Sequence, residues 1–284
     1  MKMAGIGIVT DSTAYMDDAY VNEHDIKVVP LKVIMEDVSY REGVDISNEE
    51  FYRRLKESPS FPTTSQPSAG EFLEAYEEMA GRYDQLISIH ISSGISGTCE
   101  SARCAAADMK DYPIEIIDSR TTGVMLMLII QDLVEARDKG MELPEMQALL
   151  KKRIEQSTIM FAVDTLEYLH KGGRIGGAQA MMGSLLKIKP ILYLDGTIDA
   201  LEKVRGSGKA LDRLVELTRE KLGKKKARVG YTHVRDEARL FELAEKVRKA
   251  VKCDRDGVCY NETGPVVGSH VGPGTVSVAF FPVD

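Results

Sequence analysis

Over the first half of the chain, short apolar runs alternate with longer amphipathic stretches, and most of the short runs end in hydroxyl residues. Such alternation predicts β/α units feeding a parallel sheet. Residues 4–9 predict a buried strand ending in Thr10, Asp11, Ser12 and Thr13. Residues 86–91 predict a second ending in Ser92, Ser93 and Gly94, and residues 114–117 a third ending in Asp118 and Ser119. A helix is expected after each. Short strand-to-helix turns place these polar clusters at the carboxyl edge of the sheet, where open α/β sheets bind ligands.

Between the first two of these strands, residues 28–35 read as extended. Ser47, with Glu50 three residues on, reads as a capping box for a helix over 47–57. Pro59, Pro62 and Pro67 fix φ through residues 58–68, which predicts a rigid shelf, and Ser68 is expected to cap a helix beginning at Ala69. Helices over 122–139 and 144–156 follow. The grammar then changes to a strand over 158–163, a glycine-rich turn, and a hairpin of 187–194 with 197–204 around Asp195 and Gly196. A helix over 208–222, a strand over 227–234, a helix over 237–251 and a last strand over 275–282 complete a mixed-sheet second half. The expected domains are 1–158 and 159–284.

Composition narrows the function classes. A chain of 284 residues matches about two domains of ~150 residues, and 43% hydrophobic with 29% charged residues excludes collagen-like and disordered classes. The net charge of −7 argues against a bulk grip on nucleic acid or an anionic bilayer. The densest apolar run, residues 124–130, is cut by Gln131 and Asp132, well short of the ~20 residues of a membrane span. The first apolar run meets Thr10 and Asp11 too early for a signal-peptide core, so a cytoplasmic location is expected. Cysteines stand at 99, 104, 253 and 259 with no Cys-x-x-Cys, which gives zinc little support. Cys99 and Cys104 are expected on one helix in apolar surroundings.

Nucleotide motifs fail on spacing. The run from Gly172 to Gly177 is not Gly-x-Gly-x-x-Gly, and Gly206-Ser-Gly-Lys-Ala210 lacks both the upstream glycine and the hydroxyl after lysine. Gly-x-Ser-x-Gly is absent as well. What the chain does concentrate is hydroxyls on turns: Thr63, Thr64, Ser65 and Ser68 on the shelf, and Ser92, Ser93, Ser96 and Thr98 ahead of a helix. Neutral donors and free amides at a helix start suit a carboxylate or phosphate, although turn and cap chemistry uses the same residues. Two cationic candidates sit among glycines, Arg174 and His270. Thirteen methionines against seven phenylalanines, with Met125, Met127, Met181 and Met182 locally clustered, could fill an irregular core or line a tunnel for a flexible apolar ligand.

An ordered set of segments resembles the DegV family of bacterial fatty-acid-binding proteins, which includes the binding subunits of fatty acid kinase. The segments are Val9-Thr-Asp-Ser-Thr13, Thr64-Ser-Gln-Pro-Ser68, Ile91-Ser-Ser-Gly-Ile-Ser-Gly-Thr98, Ile117-Asp-Ser119, Leu169-His-Lys-Gly-Gly-Arg-Ile175, Leu186-Lys-Ile-Lys-Pro-Ile-Leu192 with Asp195-Gly196, and His270-Val-Gly-Pro-Gly274. The family's usual His-Gly-Pro-Gly carries an inserted Val271 here, and Ile95 stands where leucine is common. The resemblance implies an α/β, DegV-like two-domain fold: an N-terminal three-layer α/β/α domain with a parallel sheet, and a C-terminal α+β domain with a mixed sheet. It implies one long-chain fatty acid between them as ligand, no cofactor and no metal. The carboxyl group falls to the shelf (Thr63, Thr64, Ser65) and the turn (Ser92, Ser93, Gly94), with Thr64 and Ser93 foremost. Arg174 and His270, with Gly272 in the same stretch, lie near the carboxyl end. There they would assist phosphoryl transfer by a separate fatty acid kinase, which Arg205 would contact. Transient contact with a membrane surface is left open.

The energetics suit a carrier. A ~16-carbon acid has about fourteen CH₂ groups, worth about 11 kcal/mol gross on full burial at ~0.8 kcal/mol each, before ordering costs. An unpaired buried carboxylate would cost several kcal/mol, which hydrogen bonds of roughly 1.5–3 kcal/mol each offset. The rival reading is a small-molecule hydrolase or transferase using Ser93 with His170 or His270 as base. A histidine nitrogen within about 3.2 Å of Ser93 Oγ, backed by a carboxylate, would favour it. An apolar tunnel ending at Thr64 and Ser93 would favour the carrier.

Overall fold

Ile6, Ile8 and Val9 share a stretch with no room for polar exposure, and the computed structural model, which describes residues 5–183 and 188–283, buries Ile6–Asp11 along its whole length. This strand is second in a four-stranded sheet of order Ile26–Val29, Ile6–Asp11, Gln85–His90, Ile114–Asp118, and every pairing is parallel. Parallel sheets survive only when both faces are covered. Here Val9, Val29 and Leu86 pack with Phe72, Tyr76 and Met79 of the helix Ala69–Ala80 on one face. Ile8, Ile87 and Ile89 join the larger core on the other.

A seven-stranded mixed sheet forms the second layer system. Its path runs Thr197–Arg205, Ile188–Asp195, Thr158–Ala162, Val276–Pro282, Lys226–His233, Lys252–Cys253, and Tyr260–Glu262 pairs in parallel with Lys226–His233. The helices Ser207–Leu222 and Glu237–Ala250 cover one face, where Met160, Val276, Val278 and Phe280 meet Leu211, Leu214, Leu240 and Leu243. The alternate residues Ile159, Phe161, Ala279 and Phe281 point the other way, into the core shared with the parallel sheet. The helix Gly123–Asp138 fills that shared core, with buried side chains on all its faces through Leu133 except at Gln131. Among the described residues, no helix is long and apolar enough to cross a membrane.

The α/β architecture matches the pattern-based reading, and the differences are local. Ala4 and Lys187, expected strand starts, and Leu186 of the motif at 186–192 lie outside the described residues. Within the shelf, Thr63–Ser65 is a short strand pairing with Lys32–Met35, which also pairs with Val38–Arg41. Thr-Thr-Ser carries no apolar alternation, so only its partner reveals it as a strand. Residues 265–271, for which the sequence pattern predicts no element, form the helix Pro265–Val271 and carry His270; proline at its first turn and Gly272 at φ 77° after its end are the signals that mark it. Cys99 is buried but Cys104 is exposed, because five residues turn a helix by ~500° and set the two thiols on different faces. All four cysteines are free.

Both expected capping serines cap. Ser47 Oγ accepts from Glu50 N at 3.2 Å, but Glu50 turns its carboxylate to Arg53, so the box there is half-made. Ser68 completes its box: its Oγ accepts from Glu71 N at 3.3 Å while Glu71 Oε2 accepts from Ser68 N at 2.8 Å. Ser68→Ala is therefore expected to lower unfolding free energy by about 1 kcal/mol, read as a fall in the urea midpoint at unchanged slope; an unmoved midpoint would show that the helix needs no cap.

Candidate functional site

The carboxyl ends of the parallel strands and one face of the mixed sheet enclose a cavity whose empty volume, mouth included, is about 900 Å³. Ile159, Phe161, Leu194 and Ile198 of the mixed sheet, Ile91 and Ile95 after the third parallel strand, and Val266, Val267 and Val271 of the helix Pro265–Val271 make the wall largely apolar. Thr122, Thr232, Thr263, Thr275 and Ser277 line the cavity as well, and one set of polar groups gathers around His270. Thr64, Ser65 and Gln66 come from the shelf, Ser96 from the turn after Ile95, Arg174 from the glycine-rich turn and His270 from the short helix.

This end is tied together by long-range contacts. Thr64 Oγ1 and His270 Nε2 share a 2.9 Å hydrogen bond across 206 residues of sequence. Arg174 Nε donates to the Ile95 carbonyl at 3.1 Å, and Nη1 to that of Gly172 at 2.9 Å, which spreads the guanidinium along the site. Burial, and then the nearby Arg174 charge, push the His270 imidazole down to about 4, so it is neutral at pH 7 and donates or accepts without carrying charge. Its Nδ1 is buried without a partner. Gly172 packs directly beneath that ring, where a Cβ would overlap Nδ1.

The remaining sequence candidates lie around the cavity rather than in its wall. Ser93 is exposed, with its hydroxyl donating to Asp118 Oδ2 and its amide to Oδ1. Ser92 Oγ donates to the Gly196 carbonyl at 2.6 Å, and Gly94 lies so close to that carbonyl that a Cβ would overlap it. The Ser92–Gly94 turn thus docks the parallel sheet onto the hairpin of the mixed sheet, a joint that Arg120 reinforces through Asp195 at 2.8 Å. Thr63 is exposed beside Thr64, Gly272 packs against the Tyr168 ring, and Arg205 is exposed at the end of its strand. Met125, Met127 and Met181 fill the core, Met182 is exposed, and none of the four lines the cavity.

For nucleophilic chemistry the geometry is unfavourable. Among the described residues no hydrogen bond joins Ser93 to His170 or His270: His170 is exposed on its own helix, and His270 bonds Thr64 instead. A hydroxyl–imidazole–carboxylate chain does exist elsewhere, Ser88 Oγ to His90 Nε2 at 2.6 Å and His90 Nδ1 to Asp11 Oδ2 at 3.2 Å, with Tyr76 on Ser88 at 2.8 Å. All four side chains are fully buried, so it clamps the helix Ala69–Ala80 to the sheet and offers no hydroxyl to a substrate. Ser88 and His90, two apart on one strand face, are the signal for it. No cluster of three or more metal-ligating side chains occurs among the described residues.

The family model described as "Uncharacterised protein, DegV family COG1307" matches residues 5–283. A DegV domain-containing protein of Listeria monocytogenes is 37% identical over 282 residues, covering 97% of this chain and 98% of the relative. This chain belongs to the DegV family. The solved structure of a fatty-acid-binding DegV family protein from Thermus thermophilus superposes with a TM-score of 0.93 at 32% identity, covering 98% of this chain and all of that one. That of a stearic acid-binding protein from Eubacterium ventriosum gives 0.89 at 28% identity, covering 98% of each.

Gly172→Ala tests the imidazole's placement. The backbone tolerates alanine there, but the added methyl displaces His270 from Thr64, so a loss of roughly 1–3 kcal/mol in stability is expected, with a changed His270 ring signal by NMR. A variant with native stability and an unmoved ring signal would contradict the packing.

Proposed function

We propose that this chain is a carrier that holds one long-chain fatty acid in the cavity with its carboxyl group at the Thr64–His270–Arg174 end. The observation that carries the reading is the make-up of the site: a largely apolar enclosure in which hydroxyls, a neutral imidazole and one guanidinium meet around Thr64 and His270. Chain burial supplies affinity, and the polar end sets which way the acid lies. The description of relatives as fatty-acid-binding proteins supports it. In this reading the domains are 1–158 and 159–284 and the acid lies between them, with Leu31, Thr64 and Ile91 facing it from the first and Ile159, Phe161 and Val266 from the second.

Thr64 and Ser65 take the acid's oxygens, Ser96 adds a donor, and His270 donates through Nε2. Ser92, Ser93 and Gly94 hold the turn that positions Ile95 and Ser96, while Thr63 and Gly272 fix the backbone beside Thr64 and His270. The protein itself does no phosphoryl transfer in this reading. It presents the carboxyl group, in the cytoplasm, to a separate fatty acid kinase. A carboxylate oxygen attacks the γ-phosphorus of ATP, the bond to ADP breaks, and an acyl phosphate results. Arg174 lies where it would neutralise the charge that develops on the transferring group, and Arg205 is the proposed kinase contact.

Protein purified without added lipid is expected to release a stoichiometric long-chain acid on denaturation, identified by mass spectrometry. Loading the emptied protein should raise the His270 pKa from about 4, because a carboxylate beside the ring favours imidazolium. An empty protein that refuses labelled fatty acid, or a ring titration unmoved by loading, would refute the assignment. Arg174→Ala is expected to retain the acid while slowing acyl-phosphate formation with a cognate kinase by about 100-fold or more; equal rates would remove Arg174 from that role.

A further inference from the structure

The helix Pro265–Val271 puts Val266, Val267, His270 and Val271 on the wall of the cavity, yet it has no cap of its own. Gly264 stands at its N-cap without a side chain, and a Cβ there would lie 2.6 Å from both Glu42 Oε1 and Tyr15 Cε1. The cap comes instead from the first half of the chain. Glu42 Oε1 accepts from Val266 N at 2.7 Å, and Tyr15 OH accepts from Val267 N at 3.2 Å. Tyr15 OH donates to Glu42 Oε1 at 3.2 Å, and Ser12 Oγ donates to Oε2 at 2.6 Å. The free first-turn amides of the helix that carries His270 are therefore taken up by one carboxylate and the phenol beside it.

Glu42 is 4% exposed, and among the described residues its donors are all neutral. The charged groups around it are mostly acidic: Asp11 at the end of the central parallel strand, Asp18 on the helix Asp18–Glu23, and Glu262 on the strand Tyr260–Glu262. Asp11 is engaged by His90, and Arg235 is spent on Glu262 at 3.1 Å. The Tyr52 phenol of the helix Asn48–Glu57 feels the Glu42 charge but donates to the Thr263 carbonyl at 2.8 Å. Ser12, Tyr15 and Glu42 also line a second cavity, whose empty volume, mouth included, is about 1040 Å³.

Burial without a cation holds the Glu42 carboxyl up at about 7. Protonated on Oε2, it donates to Ser12 Oγ while Oε1 still accepts from Val266 N, so the neutral form keeps the cap. In water the same carboxyl loses its proton at much lower pH. The proton therefore favours the buried arrangement, and raising the pH through 7 favours one in which the helix start has let go and water reaches Glu42.

We infer that Glu42 is a positioning residue that ties retention of the acid to pH: protonated, it keeps the start of Pro265–Val271, and with it His270 and the valine wall, closed on the ligand; charged, it lets that wall loosen and the acid leave faster. The inference rests on the carrier reading above and adds a control on the same site.

The test loads the full-length protein with a fluorescent long-chain acid, mixes it with excess phosphatidylcholine vesicles, and reads the first-order release rate between about pH 5.5 and about pH 8.5. The rate is expected to rise about 10-fold over that range, with a midpoint near 7. Glu42→Gln keeps a carbonyl for Val266 N and offers an amide to Ser12 Oγ, so it should hold the slow rate throughout. Tyr15→Phe removes a donor to the charged form and should move the midpoint to higher pH. A rate that is flat with pH in the unaltered protein overturns the inference, whether or not either variant folds. So does a folded Glu42→Gln protein with an undiminished pH dependence, because His270 and the acid's own carboxyl still titrate in it. Failure to take up any long-chain acid would instead bring down the carrier reading, and this inference with it.

Discussion

The core shared by the two sheets is built against one helix. Gly123–Asp138 is apolar nearly all round and packs into a core to which both the parallel and the mixed sheet contribute. The approach is close enough that Gly230 of the mixed sheet has no room for a Cβ: it would lie 2.5 Å from Val124 and 3.1 Å from Leu128. Past its midpoint Asp132 is paired with Arg153 and with the buried Arg228, so the helix is anchored by charge as well as by apolar contacts. Because one rigid element serves two sheets, their separation is set. The cavity lies where the helix begins, at Thr122 and Gly123.

The polar end of the cavity depends on a second junction. The helix Pro265–Val271 carries His270, and its start is held by Glu42, whose carboxylate accepts from Val266 N at 2.7 Å and from Ser12 Oγ at 2.6 Å, with Tyr15 OH at 3.2 Å. Burial pushes Glu42 up to about 7 despite those donors. His270, near the other end of the same helix, is kept neutral by the same withdrawal from water. A carboxylate ligand arriving at this end therefore meets hydroxyls, a neutral ring and one guanidinium, a donor set that orients the head group without a dense cluster of positive charge.

Two hydroxyl–histidine pairs in one chain show why residue type does not settle chemistry. Ser88, His90 and Asp11 reproduce the order of a hydrolytic triad, yet no substrate can reach them. Thr64 and His270 border the cavity, yet among the described residues no carboxylate stands behind the ring to make it a base. Access and the third partner decide function, and both are properties of packing.

Local physics made much of the fold legible in the sequence. Alternating apolar runs marked the parallel strands, the Ser68–Glu71 spacing marked a complete capping box, and Asp195-Gly196 marked a hairpin whose glycine takes φ 77°. Each signal is carried by residues within a few positions of one another. What tertiary structure alone decided are the relations between distant residues: that Thr63–Ser65 becomes a strand by pairing with Lys32–Met35, that the Ser93 hydroxyl turns to Asp118, and that Thr64 meets His270. It also decided that the Thr122 and Ser277 hydroxyls end buried and without partners. A hydroxyl has the same sequence signature whether it caps a turn, clamps a sheet or faces a ligand, because its role is set by what the rest of the chain brings against it.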